Sequence, residues 1–345
     1  MLYNAVVFIP LFTVFTPRIS KKSLTFVIVF SLIILLTGNF RTYEHYVMYF
    51  LLLLAIPMFE KVSFETLLSK SFLFFLVVSI YGISQKWFGY TFVELNWMRS
   101  GLSFAEEGAF TFTEDIRPFS TFASIPEFTL FISVFLYYFT IKRKYTFIIF
   151  SFAMLYIAGS RGVIISTLIA YFFTFILKKY SHKYLLLSFI ASLSFFLFLI
   201  FVFPYIFNSS GDSSRMFVYG TFNGRLELLI RVLERSSIVT LFTGVDVSNL
   251  NIEITFDNLY LMLITNFGII GAIYFLFFFI RKNIDKKKFY FLTIFLGYGF
   301  YADMVFSYYL MFLFFFAIYS TSNELIEANS ADSIKEKLSL NTNIG

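Results

Sequence analysis

The chain contains no cysteine. That excludes disulfides, thiolate metal sites and cysteine nucleophiles, and says nothing about compartment. Histidine is nearly missing too. His45 lies near an expected outer turn and His182 in an expected inner basic loop, so the two cannot form a histidine cluster. Charged residues make up 14% of the chain, where a soluble domain carries about 25%. No outer carboxylate has a metal-ligand partner at a diagnostic spacing. There is no Asp-x-Asp, no Walker loop and no Gly-x-Ser-x-Gly elbow. Any catalysis is therefore expected to be independent of metal and cofactor, and no nucleic-acid partner is expected.

What the chain has instead is apolar sequence. Hydrophobic residues make up 59% of its 345 positions, the mean hydropathy is +0.79, and there are 54 Phe and 23 Tyr. The apolar runs suit helices better than barrel strands. The expectation is an all-α, polytopic transmembrane bundle of about 11 spans, each needing roughly 20 apolar residues to cross. The expected spans are Leu2–Phe15, Leu24–Gly38, Tyr46–Phe59, Ser71–Ser84, Phe128–Ile141, Tyr145–Ala158, Val163–Leu177, Tyr184–Phe203, Leu259–Ile280, Phe289–Tyr301 and Val305–Ser320. The N-terminus has neither a basic region nor a small-residue cleavage site and reads as a retained span. Residues 1–320 form one membrane domain in this reading, and residues 321–345 a polar cytoplasmic tail.

The charge balance of +6 divides by side. Lys and Arg cluster at Arg18/Lys21/Lys22, Lys61/Lys70, Lys142–Lys144, Lys178/Lys179/Lys183 and Arg281–Lys288, in every second connection. The positive-inside rule makes those connections cytoplasmic. With the tail, they hold most of the 27 basic residues and a minority of the 21 acidic ones. Outside, Lys86 is the only lysine and the remaining cations are arginines. Positive charge has no topological role there, so those arginines need another reason to exist.

Two larger outer loops are expected, residues 85–126 and 204–258. The first closes with Arg117-Pro118-Phe-Ser-Thr-Phe and Pro126; the proline biases Arg117 toward extended geometry. Gly159-Ser160-Arg161-Gly162 joins two spans so tightly that Arg161 must either snorkel to headgroups or bind something. In the second loop, Gly224–Ser237 reads as a surface helix with Leu226, Leu229, Ile230 and Leu233 on one face. Arg231 and Arg235 fit a solvated, salt-bridged face; Arg225 sits apart from them, beside the apolar face. Gly268 and Gly271 would let a neighbouring helix approach closely. Arginines at these places suit bidentate binding of phosphate oxygens, and a partly desolvated carboxylate could take a proton from a sugar hydroxyl.

Taken in order, Ser160-Arg161-Gly162, Gly224-Arg225, Phe242-Thr-Gly244 and Asp257-Asn258-Leu-Tyr-Leu…Gly268-Ile-Ile-Gly271 resemble the O-antigen polymerase/ligase superfamily, and Arg117-Pro118-Phe-Ser-Thr-Phe is similar to its first outer-loop motif. The resemblance covers roughly Gln85 to Ile280. It implies an all-helical glycosyltransferase that takes a glycan from undecaprenyl pyrophosphate at the outer leaflet of the cytoplasmic membrane. Arg117, Arg161 and Arg225 would hold the pyrophosphate, and Asp257 would act as base. Ligases of the family usually carry His where this chain has Asp257, which favours a polymerase of capsule or O-antigen repeat units over a ligase. Asp257 could equally cap the helix that follows it. The expected partners are a lipid-linked oligosaccharide, membrane lipid, a chain-length regulator and a flippase. A flippase or other transporter is the rival from a different class.

Overall fold

Short polar stops cut the apolar sequence into helices, and the caps show where. The computed structural model describes residues 56–99, 111–112, 115–116, 118–122, 125–198, 258–280, 284–301 and 308–321, with isolated positions besides. Most of the first three expected spans, the helix expected over Gly224–Ser237 and the tail beyond Thr321 lie outside the described residues.

The helices are α1 (Ile56–Phe59), α2 (Phe64–Lys70), α3 (Phe72–Phe88), α4 (Phe92–Arg99), α5 (Ile125–Ile141), α6 (Tyr145–Ala158), α7 (Arg161–Tyr171), α8 (His182–Leu197), α9 (Leu259–Ile280), α10 (Lys286–Tyr298) and α11 (Tyr308–Tyr319). A π-helical turn, Phe172–Ile176, continues α7. One minimal antiparallel hairpin pairs β1 (Thr111–Phe112) with β2 (Asp115–Ile116), a departure too small to alter the all-α class.

Several boundaries differ from expectation for local reasons. The inner connection 60–70 contains α2, because Ser63 caps it by accepting from Thr66 N at 3.2 Å, with Glu65 in its first turn and Lys70 in its last. The first outer loop ends before Pro126, which falls in the first turn of α5, where its missing N–H costs nothing. Asp285 caps α10 through Lys288 N at 2.7 Å. Gly268 behaves unlike the packing glycine expected. Its φ of 68° and ψ of 174° break α9 in the middle, a conformation open to glycine because it lacks a Cβ.

The buried centre is α5 and α10. Both are covered nearly all round, as expected of helices apolar on every face. α5 packs on α6, α7 and α11; α10 packs on α7, α8 and α11; α3 packs on α6. Inside, the helices meet through small hydroxyls. Ser133 Oγ meets Thr167 Oγ1 at 2.9 Å, and Ser188 Oγ meets Thr293 Oγ1 at 3.2 Å. Thr129, Ser133, Ser166, Ser192 and Thr265 each donate to the carbonyl four residues back. Outside, the faces are apolar. Leu73 is 72% exposed, Ile149 71% and Tyr156 85%, and Val77, Ile80, Leu186, Leu187, Ile190, Ile270 and Ile273 are exposed with them.

Among the described residues, no single helix is long and apolar enough to cross a membrane. α2 and α3 together meet that measure as a pair bent by 59°. α5, α6 and α8 are apolar but shorter, and the break at Gly268 divides α9.

Short turns join α5 to α6, α6 to α7 and α7 to α8, so these successive helices reverse and the bundle has two ends. At one end Thr321 N donates to Val62 O at 3.0 Å and Phe64 N to Thr321 O at 2.9 Å. Lys287 Nζ donates to Ser320 O and, at 3.0 Å, to Ser320 Oγ. Lys144 lies 5.4 Å from the Phe72 ring and Lys286 4.5 Å from that of Phe175. Among the described residues, the connections expected inside therefore meet at one end, and Lys144, Lys286 and Lys287 with them. Lys86, Arg99, Arg161 and the loop segment 118–122 stand at the other.

Candidate functional site

At the end away from the lysines, two of the expected motifs come together. The α6–α7 hairpin turns on Gly159 (φ 72°), and Arg161 opens α7 behind Ser160, half-buried. The following residue must be glycine. A Cβ on Gly162 would lie 2.5 Å from Tyr301 Cβ and 2.6 Å from its Cγ, so the Tyr301 ring packs directly on the α7 backbone. Tyr301 continues from Phe300, whose carbonyl accepts from Asn258 Nδ2 at 3.1 Å, and Leu259 N donates to Gly299 O at 2.9 Å. Residues 299–301 thus bridge the Arg161 hairpin to the start of α9.

Beneath them lies an aromatic floor. Phe300 is 4.6 Å from Tyr260, 5.2 Å from Phe189 and stacked at 5.5 Å on Phe196; Tyr301 meets Phe196 edge-on at 5.3 Å. The floor excludes water from below, and local polar groups act more strongly where water is excluded.

The electrostatics at Arg161 are unusual. The positive end of the helix dipole is a poor place for a cation, by roughly 0.3–1 kcal/mol. A guanidinium there adds to the dipole rather than opposing it, and the combination attracts an anion.

The cap of α9 is Asn258. Its Oδ1 accepts from Leu261 N at 3.0 Å while its amide holds Phe300 O. The capping role considered for Asp257 is filled by the next residue. Asp257 itself, Arg117 and Arg225 lie outside the described residues.

A second polar cluster stands at the same end, and the sequence reading missed it. Thr91 and Glu94 form a reciprocal capping box on α4: Thr91 N donates to Glu94 Oε2 at 2.6 Å, and Glu94 N to Thr91 Oγ1 at 3.3 Å. The Thr-x-x-Glu spacing was the available signal. The Glu94 carboxylate also accepts from Tyr81 Oη at 2.6 Å, Thr91 Oγ1 at 2.8 Å and Gln85 Nε2. Burial pushes its pKa up, but the hydrogen bonds from Tyr81, Thr91 and Gln85 outweigh that and hold it below the usual value. A carboxylate so supplied with donors is a weak base, and its role is to anchor the loop. Gln85 completes the anchor by accepting from Phe119 N at 3.1 Å and Ser120 N at 2.7 Å.

Beside this cluster is a cavity of about 750 Å³. Phe74, Phe122, Phe131, Phe312 and Leu313 line it, with Glu94 and Ser120 among its polar edges. It is wide and apolar, with room for a hydrocarbon chain or similar group. Among the described residues no group of three or more His, Cys, Asp or Glu could hold a metal ion.

No protein-family model, curated protein or solved structure matches the chain.

Proposed function

We propose that the chain is a polytopic membrane glycosyltransferase that polymerises lipid-pyrophosphate-linked oligosaccharide repeat units at the extracytoplasmic face of the cytoplasmic membrane. The membrane placement is supported by the arrangement of surface and interior. Hydroxyls pair within the bundle while Leu, Ile, Val and Tyr cover its outside, the pattern expected where helices associate in lipid. The reading keeps the expectation of about 11 spans drawn from the apolar sequence. The lysine-rich end faces the cytoplasm by the positive-inside rule.

The observation that carries the enzymatic reading is the meeting of Arg161 and the Asn258 segment across residues 299–301. Arg161, at the N-terminus of α7 and next to the Gly162–Tyr301 contact, would hold the pyrophosphate oxygens of the donor. Arg117 and Arg225 would complete the grip on the leaving group. Asp257, released from capping by Asn258, would accept the proton of the attacking hydroxyl. The acceptor oxygen forms the new glycosidic bond to the anomeric carbon as the bond to the lipid pyrophosphate breaks. Charge accumulating on that pyrophosphate is what the arginines stabilise. The apolar cavity beside Glu94 offers room for the lipid tail.

A second reading is favoured by one observation. The break in α9 at Gly268 is a feature of transporters, whose discontinuous helices present backbone groups to substrate. The test is reconstitution into liposomes with lipid-pyrophosphate-linked repeat units and no divalent metal, products being resolved by size. A ladder of multiples that disappears with Arg161→Ala supports the polymerase. Movement of single units across the bilayer with no ladder would overturn it in favour of transport. A product formed only when a separate glycan acceptor is added would move the reading to a ligase.

A further inference from the structure

The lysine-rich end holds a cavity that the proposed reaction does not use. It has a volume of about 260 Å³ and is lined by Glu65, Thr66, Ser69 and Lys70 from α2 and by Tyr138 and Lys142 from the end of α5. That is many times the roughly 30 Å³ share of one water, so it can admit a headgroup. Its rim is cationic. Lys70 and Lys142 are exposed, whereas Glu65 is buried at 6% exposure. Glu65 also feels the charge of Lys287, which offsets part of the negative charge in the cavity wall. Ser69 and Thr66 add hydroxyl donors of the kind that complete phosphate recognition.

The surroundings identify the rest of the ligand. Lys70 leads through Ser71 into α3, and Lys142 leads through Lys144 into α6. These two helices are neighbours, joined by Phe72 against Phe147 at 4.9 Å and Phe75 against Phe150 at 6.0 Å. Each presents an exposed apolar stripe directed away from the lysines: Leu73, Val77 and Ile80 on α3, Tyr145 and Ile149 on α6. Lys144, over the Phe72 ring, adds a third cation at the junction. A free phosphate would satisfy the cavity and leave the stripes without a role. A phospholipid satisfies both.

We infer that the cavity between α2 and α5 binds the phosphate headgroup of an anionic glycerophospholipid, with its acyl chains along the stripes of α3 and α6. The inference rests on the membrane placement proposed above and is independent of the reaction. A basic pocket between helices on the cytoplasmic side is a general solution for holding an anionic headgroup.

The test is native mass spectrometry of the full chain in neutral detergent, offered phosphatidylglycerol and phosphatidylcholine of matched chains. Two lysines give an expected preference of about thirtyfold for phosphatidylglycerol. The preference should vanish in the Lys70→Gln/Lys142→Gln double variant. It should survive in Lys70→Arg/Lys142→Arg and in Lys178→Gln/Lys179→Gln, which keeps this site but lowers the charge of the same end. Persistence in the Lys70→Gln/Lys142→Gln variant, or equal loss in the Lys178→Gln/Lys179→Gln variant, would overturn the site in favour of diffuse attraction. Displacement of the lipid by millimolar inorganic phosphate would overturn the lipid in favour of a free anion. A chain that stays in solution without detergent and takes up neither lipid would sink the membrane placement itself.

Discussion

The two ends of the bundle are made by the same helices but use their cations differently. At the lysine end three cations are tied to local structure: Lys287 to Ser320, Lys144 to the Phe72 ring, Lys286 to the Phe175 ring. At the opposite end Arg161 stands at a helix N-terminus, where its charge adds to the dipole, and the next residue, Gly162, packs against Tyr301. Those three lysine side chains are accounted for by contacts within the protein. The second arrangement places a cation at the positive end of a helix dipole, where negative charge beside it is stabilising. Under the proposed function, the arginine end serves the reaction and the lysine end serves sidedness and lipid contact.

The strongest way to break that contrast is to remove one cation from each end. Arg161→Ala should lower polymerisation by about 10²–10³-fold, the usual loss when a preorganised group aimed at developing charge is removed. Lys286→Ala should leave the rate unchanged. Size-resolved products from matched amounts of folded protein would show both. Equal losses would dissolve the distinction.

Lys287 sharpens the comparison from the other side. Burial pushes its pKa down to about 8 from 10.5, against the opposing pull of Asp285 and Glu65. Between those two values the unfolded chain holds a proton that the folded chain has released. Stability should therefore rise with pH across that window, by up to about 3 kcal/mol, and the gain should be lost as pH falls through about 8. Unfolding midpoints measured from pH 7 to pH 11 should show the rise. Lys287→Met should flatten it.

Gly162→Ala should cost about 1–3 kcal/mol, because the new methyl would collide with Cβ of Tyr301, which cannot move without moving its backbone. A lower melting temperature in detergent, together with reduced activity, would register it. An unchanged melting temperature would mean that the Arg161 hairpin and residues 299–301 do not meet as described. The smallest effect belongs to the outer-loop anchor: Thr91→Ala should cost about 1 kcal/mol through loss of the capping box on α4, with activity largely retained.

Much of this was readable before the structure, for identifiable reasons. α6 matches its expected bounds because Lys144 and Gly159 stop it at both ends. Arg161 stood out because a charge in a four-residue turn between apolar runs has few explanations. Other features carried no usable signal. Phe300 and Tyr301 hold the two motifs together, yet two aromatics among 54 Phe and 23 Tyr cannot be singled out by composition. Gly268 could be read either as a small packing residue or as a break, because glycine serves both, and its positive φ depends on tertiary structure. Some signals were present and overlooked. Ser63 before Phe64 and the Thr91-x-x-Glu94 box each announce a helix inside what was read as a loop.

The most direct test of the two-ended bundle uses the lack of native cysteine. Single substitutions, Ser160→Cys at the arginine end and Lys142→Cys at the lysine end, would each be exposed to a membrane-impermeant maleimide in intact spheroplasts and again after permeabilisation. The account predicts that Ser160→Cys is modified in intact spheroplasts and Lys142→Cys only after permeabilisation. Modification of both in intact spheroplasts, or the reverse order, would contradict it.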